Sequence, residues 1–167
     1  MQRVRLGATA DGRLTAIGHA AWQRCARFDN FCEPIVMATR TLYAAPNRLT
    51  THRLVKLDLP VADSTRDPGE AVGLLALEKA MDELAEKLGL DPVELRLRNE
   101  PALDPEKQVP YSSRQLVACL QQGAAFRVVR PQGLAGADAA GPLAHRHGHG
   151  SVHPRQPAAS PWTSRYC

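Results

Sequence analysis

Cys25, Cys32, Cys119 and Cys167 are the residues of this chain best suited by type to hold a metal or form a bridge, yet no two stand in a C-x-x-C pair or any other tight spacing. Zinc ligation and a disulfide framework both need such spacing, so the four read as free thiols of a reducing compartment. His145, His147 and His149 alternate and would take up Ni²⁺ or Zn²⁺ in a test tube, but they lie in a stretch too polar to order a site and read as incidental. His19 has no His, Cys or carboxylate at ligand spacing and reads as a surface or edge-strand histidine. Glu70 falls in the first turn of a predicted helix, where a carboxylate offsets the positive helix end, and Glu78 reads as a helix former. No Gly-rich pyrophosphate loop and no cluster-binding cysteine pattern is present. Residue type and spacing therefore assign no catalytic group and no metal ligand, and on that basis alone Arg66 reads as half of a buried salt bridge.

These residues hang on a stretch from Ser64 to Asn99. Asp67-Pro68-Gly69 is a turn signal, and Leu74, Leu77, Met81, Leu84 and Leu88 then recur at steps of three and four, one apolar stripe of a helix that Gly89 stops. Lys79, Asp82, Glu83, Glu86 and Lys87 fall on the opposite face. Asp91-Pro92 is a cap followed by proline at the first helical position, so a second helix is predicted from Val93 to Arg98. Upstream, Val4 to Thr9 and Leu14 to Trp22 flank Asp11-Gly12 and predict a β-hairpin; Ala26 to Thr41 reads as a loop or short turn. Arg48 to Pro60 has period two and predicts a strand that delivers the chain to Arg66. Ser112 or Ser113 is expected to cap a third helix whose apolar face is Leu116, Cys119 and Leu120 and whose end frays at Gly123. The fold class is α+β: a hairpin and a further strand packed with a helical hairpin and a third helix.

The formal charge of +4 does not belong to the organised part, because residues 1–126 carry 16 Lys plus Arg against 16 Asp plus Glu. No basic stripe supports nucleic-acid binding. No stretch approaches the eighteen or so apolar residues needed to cross a bilayer, and the N-terminus has no signal-peptide core, so a soluble, cytoplasmic protein without membrane contact is expected. From Arg127 the tail has one acid, Asp138, no lysine, and mostly Ala, Gly, Pro, Arg and His. Such a composition predicts disorder over residues 127–167.

The wording of the central stretch is more specific than its periodicity. Arg66-Asp67-Pro68-Gly69-Glu70-Ala71, then Met81-Asp82-Glu83-Leu84-Ala85, then Asp91-Pro92-Val93-Glu94-Leu95-Arg96-Leu97-Arg98-Asn99 resembles the large, molybdopterin-binding subunit of molybdenum hydroxylases, the xanthine dehydrogenase and aldehyde oxidase family. Pro110-Tyr111-Ser112-Ser113-Arg114-Gln115-Leu116 resembles that family's P-[FY]-S-S-R-x-L. The resemblance spans roughly Arg3 to Phe126 and implies that residues 1–126 are a partial molybdenum-cofactor-binding domain.

The same resemblance implies molybdopterin as the cofactor and, as the chemistry, hydroxylation of an aldehyde or a heteroaromatic carbon with water as the oxygen source. It implies iron–sulfur and flavin subunits through which electrons leave. By this resemblance Arg66 matches the arginine beside the metal, and Pro68 matches a substrate-binding position that is aromatic in purine oxidisers, which favours an aldehyde over a purine. Asp67 departs from the family's small residue and sets a carboxylate near an anionic centre. The family's general base lies far toward the C-terminus of a much larger domain, so the chain is expected to be an inactive fragment that does not retain the cofactor. The alternative is a free-standing α+β module that binds a partner subunit through an unpaired sheet edge. Relatives continue the third helix as G-A-x-x-F-G-W, whereas this chain turns from Phe126 to Arg127-Val128-Val129. A frame shift after Phe126 restores Gly-Trp, and it accounts for the loss of acids and lysine; the codons for Arg127 to Val129 decide that expectation.

Overall fold

The computed structural model describes residues 1–125, so the expectations of a disordered tail and of a frame shift lie outside the described residues. A three-stranded sheet, β1 (Gln2–Ala8), β2 (Leu14–Ala26) and β3 (Asn47–Leu57), is joined to four helices, α1 (Met37–Thr41), α2 (Glu70–Leu88), α3 (Pro92–Arg98) and α4 (Leu116–Ala125). The architecture is α+β, as the sequence predicts. β1 and β2 form the antiparallel hairpin, with Val4 opposite His19, and β2 runs four residues past its predicted end because β3 pairs with it in parallel from Ala16↔Asn47 to Ala26↔Leu57. β2 is therefore the central strand and β3 an edge.

Strand alternation sends Ile17, His19, Ala21 and Cys25 of β2 to the helical side, together with Val4 and Leu6 of β1. Leu14, Ile17, Tyr43, Leu77, Met81, Ala85 and Leu95 form the buried core. On α2 the buried line is Gly73, Leu77, Met81 and Ala85. The predicted stripe is thus rotated by part of a turn, and Leu74 is only half-buried. The reason is Gly73: a Cβ there would stand 1.9 Å from the carbonyl oxygen of Ile35, so the 33–35 segment crosses the helix at its one bare position. Gly73→Ala is expected to cost about 1–3 kcal/mol or more, since backbone rather than a flexible side chain must give way. A urea midpoint equal to the parent's would refute this packing.

The helix ends obey their local signals. Gly89 closes α2 in the left-handed region at φ 66, and the Asp91 carboxylate accepts from the N–H groups of Val93 and Glu94 at 2.8 and 3.0 Å. The stretch read as loop contains the short α1. α4 starts at Leu116, past the predicted serine caps; it runs through Gly123 to Ala125 and buries none of its residues, with Cys119 exposed.

His19 corrects its sequence reading. It is 1% exposed, on the central strand rather than at a surface or edge. Gln2 Nε2 donates to the Val72 carbonyl at 3.0 Å, which turns Gln2 Oε1 toward His19 Nε2 at 2.9 Å. His19 Nε2 must then carry the proton, and Nδ1 accepts from the Thr39 hydroxyl at 2.6 Å. One neutral imidazole so ties β1, β2, α1 and the start of α2. Burial, with a smaller push from His52, lowers its pKa from 6.5 to about 4. Below the ordinary histidine range the unfolded chain takes up a proton that the folded chain refuses. Stability is therefore full above that range and is lost as pH falls toward the folded value, by about 2 kcal/mol between about pH 7 and 5. His19→Gln should flatten that slope in urea titrations at the two pH values; an equal slope in both proteins would refute the assignment.

Candidate cofactor-facing turn

β3 delivers the chain into an exposed segment, residues 58–67, that ends in the turn before α2. Two residues of this turn have left-handed backbone, Asp67 at φ 54 and Gly69 at φ 75, with Pro68 between them. Gly69 is required twice over: its φ suits glycine, and a Cβ would lie 2.6 Å from the Pro34 nitrogen. The Asp67 carbonyl accepts from Ala71 N–H at 3.4 Å, and Glu70 sits in the first turn of α2. The turn is thus braced from below by the Glu33–Pro34 backbone.

On this base Arg66 is exposed, Asp67 is exposed beside it, and Pro68 is half-buried. Among the described residues Arg66 has no ion pair, so the buried salt bridge read from the sequence alone is replaced by a solvated guanidinium. Glu78 is not brought to the turn. It lies two helical turns into α2, where Oε1 accepts from the Tyr43 hydroxyl at 2.9 Å and Oε2 accepts from Arg96 Nε at 2.7 Å. Arg96 also reaches within 2.8 Å of Asp82 Oδ1, an ion contact without hydrogen-bond alignment. Burial opposes the Arg96 charge, but Glu78, Tyr43 and Asp82 outweigh it and raise the pKa; burial and Glu78 together raise that of Tyr43. A carboxylate so committed is poorly placed to act as a base.

The other motif residues hold the fold in the same way. Asn99 accepts from Leu14 N–H and donates to the Gly12 and Leu95 carbonyls, each at 2.8 Å, which fastens α3 to the β1–β2 hairpin. Arg98 donates from Nε to Glu94 at 2.8 Å and from Nη1 to the Asp11 carbonyl. Arg114 grips Glu100 with Nε and Nη2, and its guanidinium lies 4.5 Å from the centre of the Tyr111 ring. The Tyr111 hydroxyl donates to the Thr41 carbonyl at 2.9 Å. Of two surface hollows, one is lined by Asp91, Val93, Glu94, Leu97, Gln121 and Ala124, the other by Ile17, Thr39, Arg40, Arg48, Thr50 and Glu106; neither reaches Arg66. Among the described residues no three His, Cys, Asp or Glu side chains gather to hold a metal ion, and no helix is long and apolar enough to cross a membrane.

Residues 1–100 match the family described as the molybdopterin cofactor-binding domain. The chain belongs to this family. It is 46% identical over 125 residues to the aldehyde oxidoreductase molybdenum-binding subunit PaoC of Escherichia coli K12, a match covering 74% of the chain and 17% of that subunit. The same figures hold for PaoC of E. coli O157:H7. The fold superposes on the aldehyde oxidoreductase of Desulfovibrio gigas with a TM-score of 0.63 and 28% identity, over 72% of this chain and 14% of that one. Quinoline 2-oxidoreductase of Pseudomonas putida 86 shares the fold at a TM-score of 0.61 and 19% identity, over 74% of this chain and 17% of that one. The chain therefore spans about a sixth of the length of the curated relatives it matches. The D-P-V-E-L-R-L-R-N wording read from the sequence is a framework of caps, core and clamps, while Arg66 stands exposed on the turn before α2.

Proposed function

We propose that residues 1–126 are a partial molybdenum-cofactor-binding unit of an aldehyde-oxidising, molybdenum-binding subunit, and that Arg66 is this unit's contact to the cofactor. The observation that carries the reading is the braced turn at 66–69, which presents an exposed guanidinium with no ion pair among the described residues, in a chain of the cofactor-binding family. In charge the turn fits an anionic oxo-molybdenum pterin group: Arg66 attracts it, and Asp67 works against that attraction. When bound, the cofactor supplies hydroxylation of an aldehyde carbon with oxygen from water. Within this unit Arg66 orients and binds the group, and Pro68 faces the substrate without the aromatic surface that would sandwich a purine. The assembly that uses the unit contains iron–sulfur and flavin subunits to carry electrons away, and its place is the cytoplasm. Taken by itself, this unit is inactive and does not keep the cofactor.

The isolated chain, made in a host that synthesises the cofactor, is expected to contain no stoichiometric molybdenum and to give no dye reduction with aromatic aldehydes. Metal content near one per chain, or turnover above a blank, overturns the claim of inactivity. The site is tested separately by grafting residues 1–125 onto the remaining segments of PaoC. There Arg66→Ala should lower kcat by about 10²-fold, the scale of losing one preorganised donor at a developing charge. Unchanged molybdenum content and kcat would remove Arg66 from the site.

A further inference from the structure

Cys32 and His52 are 20 residues apart in sequence, the first in the loop after β2 and the second on β3, yet Cys32 Sγ lies 3.4 Å from His52 Nδ1 and 3.9 Å from Nε2. The thiol is exposed and the ring half-buried on the helical side of the sheet, beside Thr50 and Leu54 of its own strand. A nucleophile at the surface with an imidazole nitrogen in hydrogen-bond reach is the arrangement that activates a thiol. No role described for this family's turn uses it.

We propose that Cys32 is a thiol–disulfide exchange site, with His52 as the base that takes its proton and a small disulfide of the glutathione type as its substrate. The thiol proton passes to His52 Nδ1, and the sulfur attacks one sulfur of the disulfide. The S–S bond breaks, its electron pair leaves on the departing sulfur, and that sulfur takes the proton from His52. Cys32 ends oxidised in a mixed disulfide, and half of the small disulfide ends reduced as a thiol. Burial keeps the His52 pKa below its ordinary 6.5, so the ring is neutral at pH 7 and its lone pair is open to the S–H. Cys32 Sγ also lies 3.8 Å from the Glu33 carbonyl oxygen, the Glu33 carboxylate next in the chain opposes a thiolate, and His19 on β2 is itself neutral. Assistance by the neutral ring, rather than a standing thiolate, is the mechanism. One residue on, the Glu33–Pro34 backbone touches Gly69, so an adduct on Cys32 stands next to the segment that braces the Arg66 turn.

The chain carries its own controls. None of Cys25, Cys32 and Cys119 is in a disulfide; Cys25 is 3% exposed, and Cys119 is exposed on α4 with no side-chain partner among the described residues. The full chain is treated at pH 7 with dithiodipyridine and then with glutathione disulfide, and the modified cysteine is located by mass spectrometry over time. Cys32 is expected to react at least about tenfold faster than Cys119, and His52→Ala to bring it down to the Cys119 rate while Cys25 stays protected. Equal rates at Cys32 and Cys119 in the parent chain overturn the proposal without any variant. So does an unchanged Cys32 rate in His52→Ala. Should Cys25 become reactive in that variant, His52→Asn, which keeps the polar shape but not the base, replaces it under the same two criteria.

Discussion

Arg96→Ala is expected to destabilise the domain by about 3 kcal/mol, a large part of what a domain of this size can lose. The arginine side chain is 12% exposed and is the only cation described against two carboxylates, Glu78 and Asp82, one helical turn apart on α2. It also donates to the Pro92 carbonyl at 2.9 Å and to the Glu78 carbonyl at 3.3 Å. Removing it leaves two like charges facing each other and two main-chain carbonyls without that donor, and Tyr43 then hydrogen-bonds to an unbalanced carboxylate. Glu78 and Asp82 keep some solvent access, which holds the figure to the lower end of the range for buried pairs. Arg96→Lys should recover little, because one ammonium cannot reach what the guanidinium fork reaches from Nε, Nη1 and Nη2. Adding Glu78→Gln to Arg96→Ala should restore part of the loss. Urea midpoints of the four proteins are the measurement; a single alanine variant within about 0.5 kcal/mol of the parent would show that the network is a surface feature.

The second large effect is at Leu77. It is fully buried between the sheet and the helices, in a cluster with Ile17, Tyr43, Met81 and Leu95, and truncation to alanine should cost about 2–5 kcal/mol. Leu74, half-buried on the same helix, should lose clearly less under the same change, about 1 kcal/mol. The comparison tests the phase of α2 as well as its burial. Equal losses at the two positions would place the buried face where the leucine stripe alone puts it, between Leu74 and Leu77, and would contradict the crossing of residues 33–35 at Gly73.

Local chemistry was legible in the sequence wherever a residue acts on its own neighbours. Asp91 capping α3, Gly89 ending α2 and the Asp11-Gly12 hairpin are contacts closed within a few residues, so type and spacing determine them. The wording around Arg66 and Asn99 likewise carried the family. Long-range pairing was not legible, because it depends on which strands meet. The parallel joining of β3 to β2 puts His19 on a central strand, which buries it and forces a neutral tautomer; the same sequence on an edge would leave it solvated. That pairing also brings His52 to Cys32, while the packing of α2 against α3 and the residues after α1 leaves Glu78 facing Arg96 and Tyr43 rather than the turn. The phase of α2 was settled by a main-chain carbonyl from 38 residues upstream meeting Gly73, a contact that side-chain periodicity cannot register. Periodicity reports only how apolar each face is, whereas burial depends on how closely another piece of backbone can approach it.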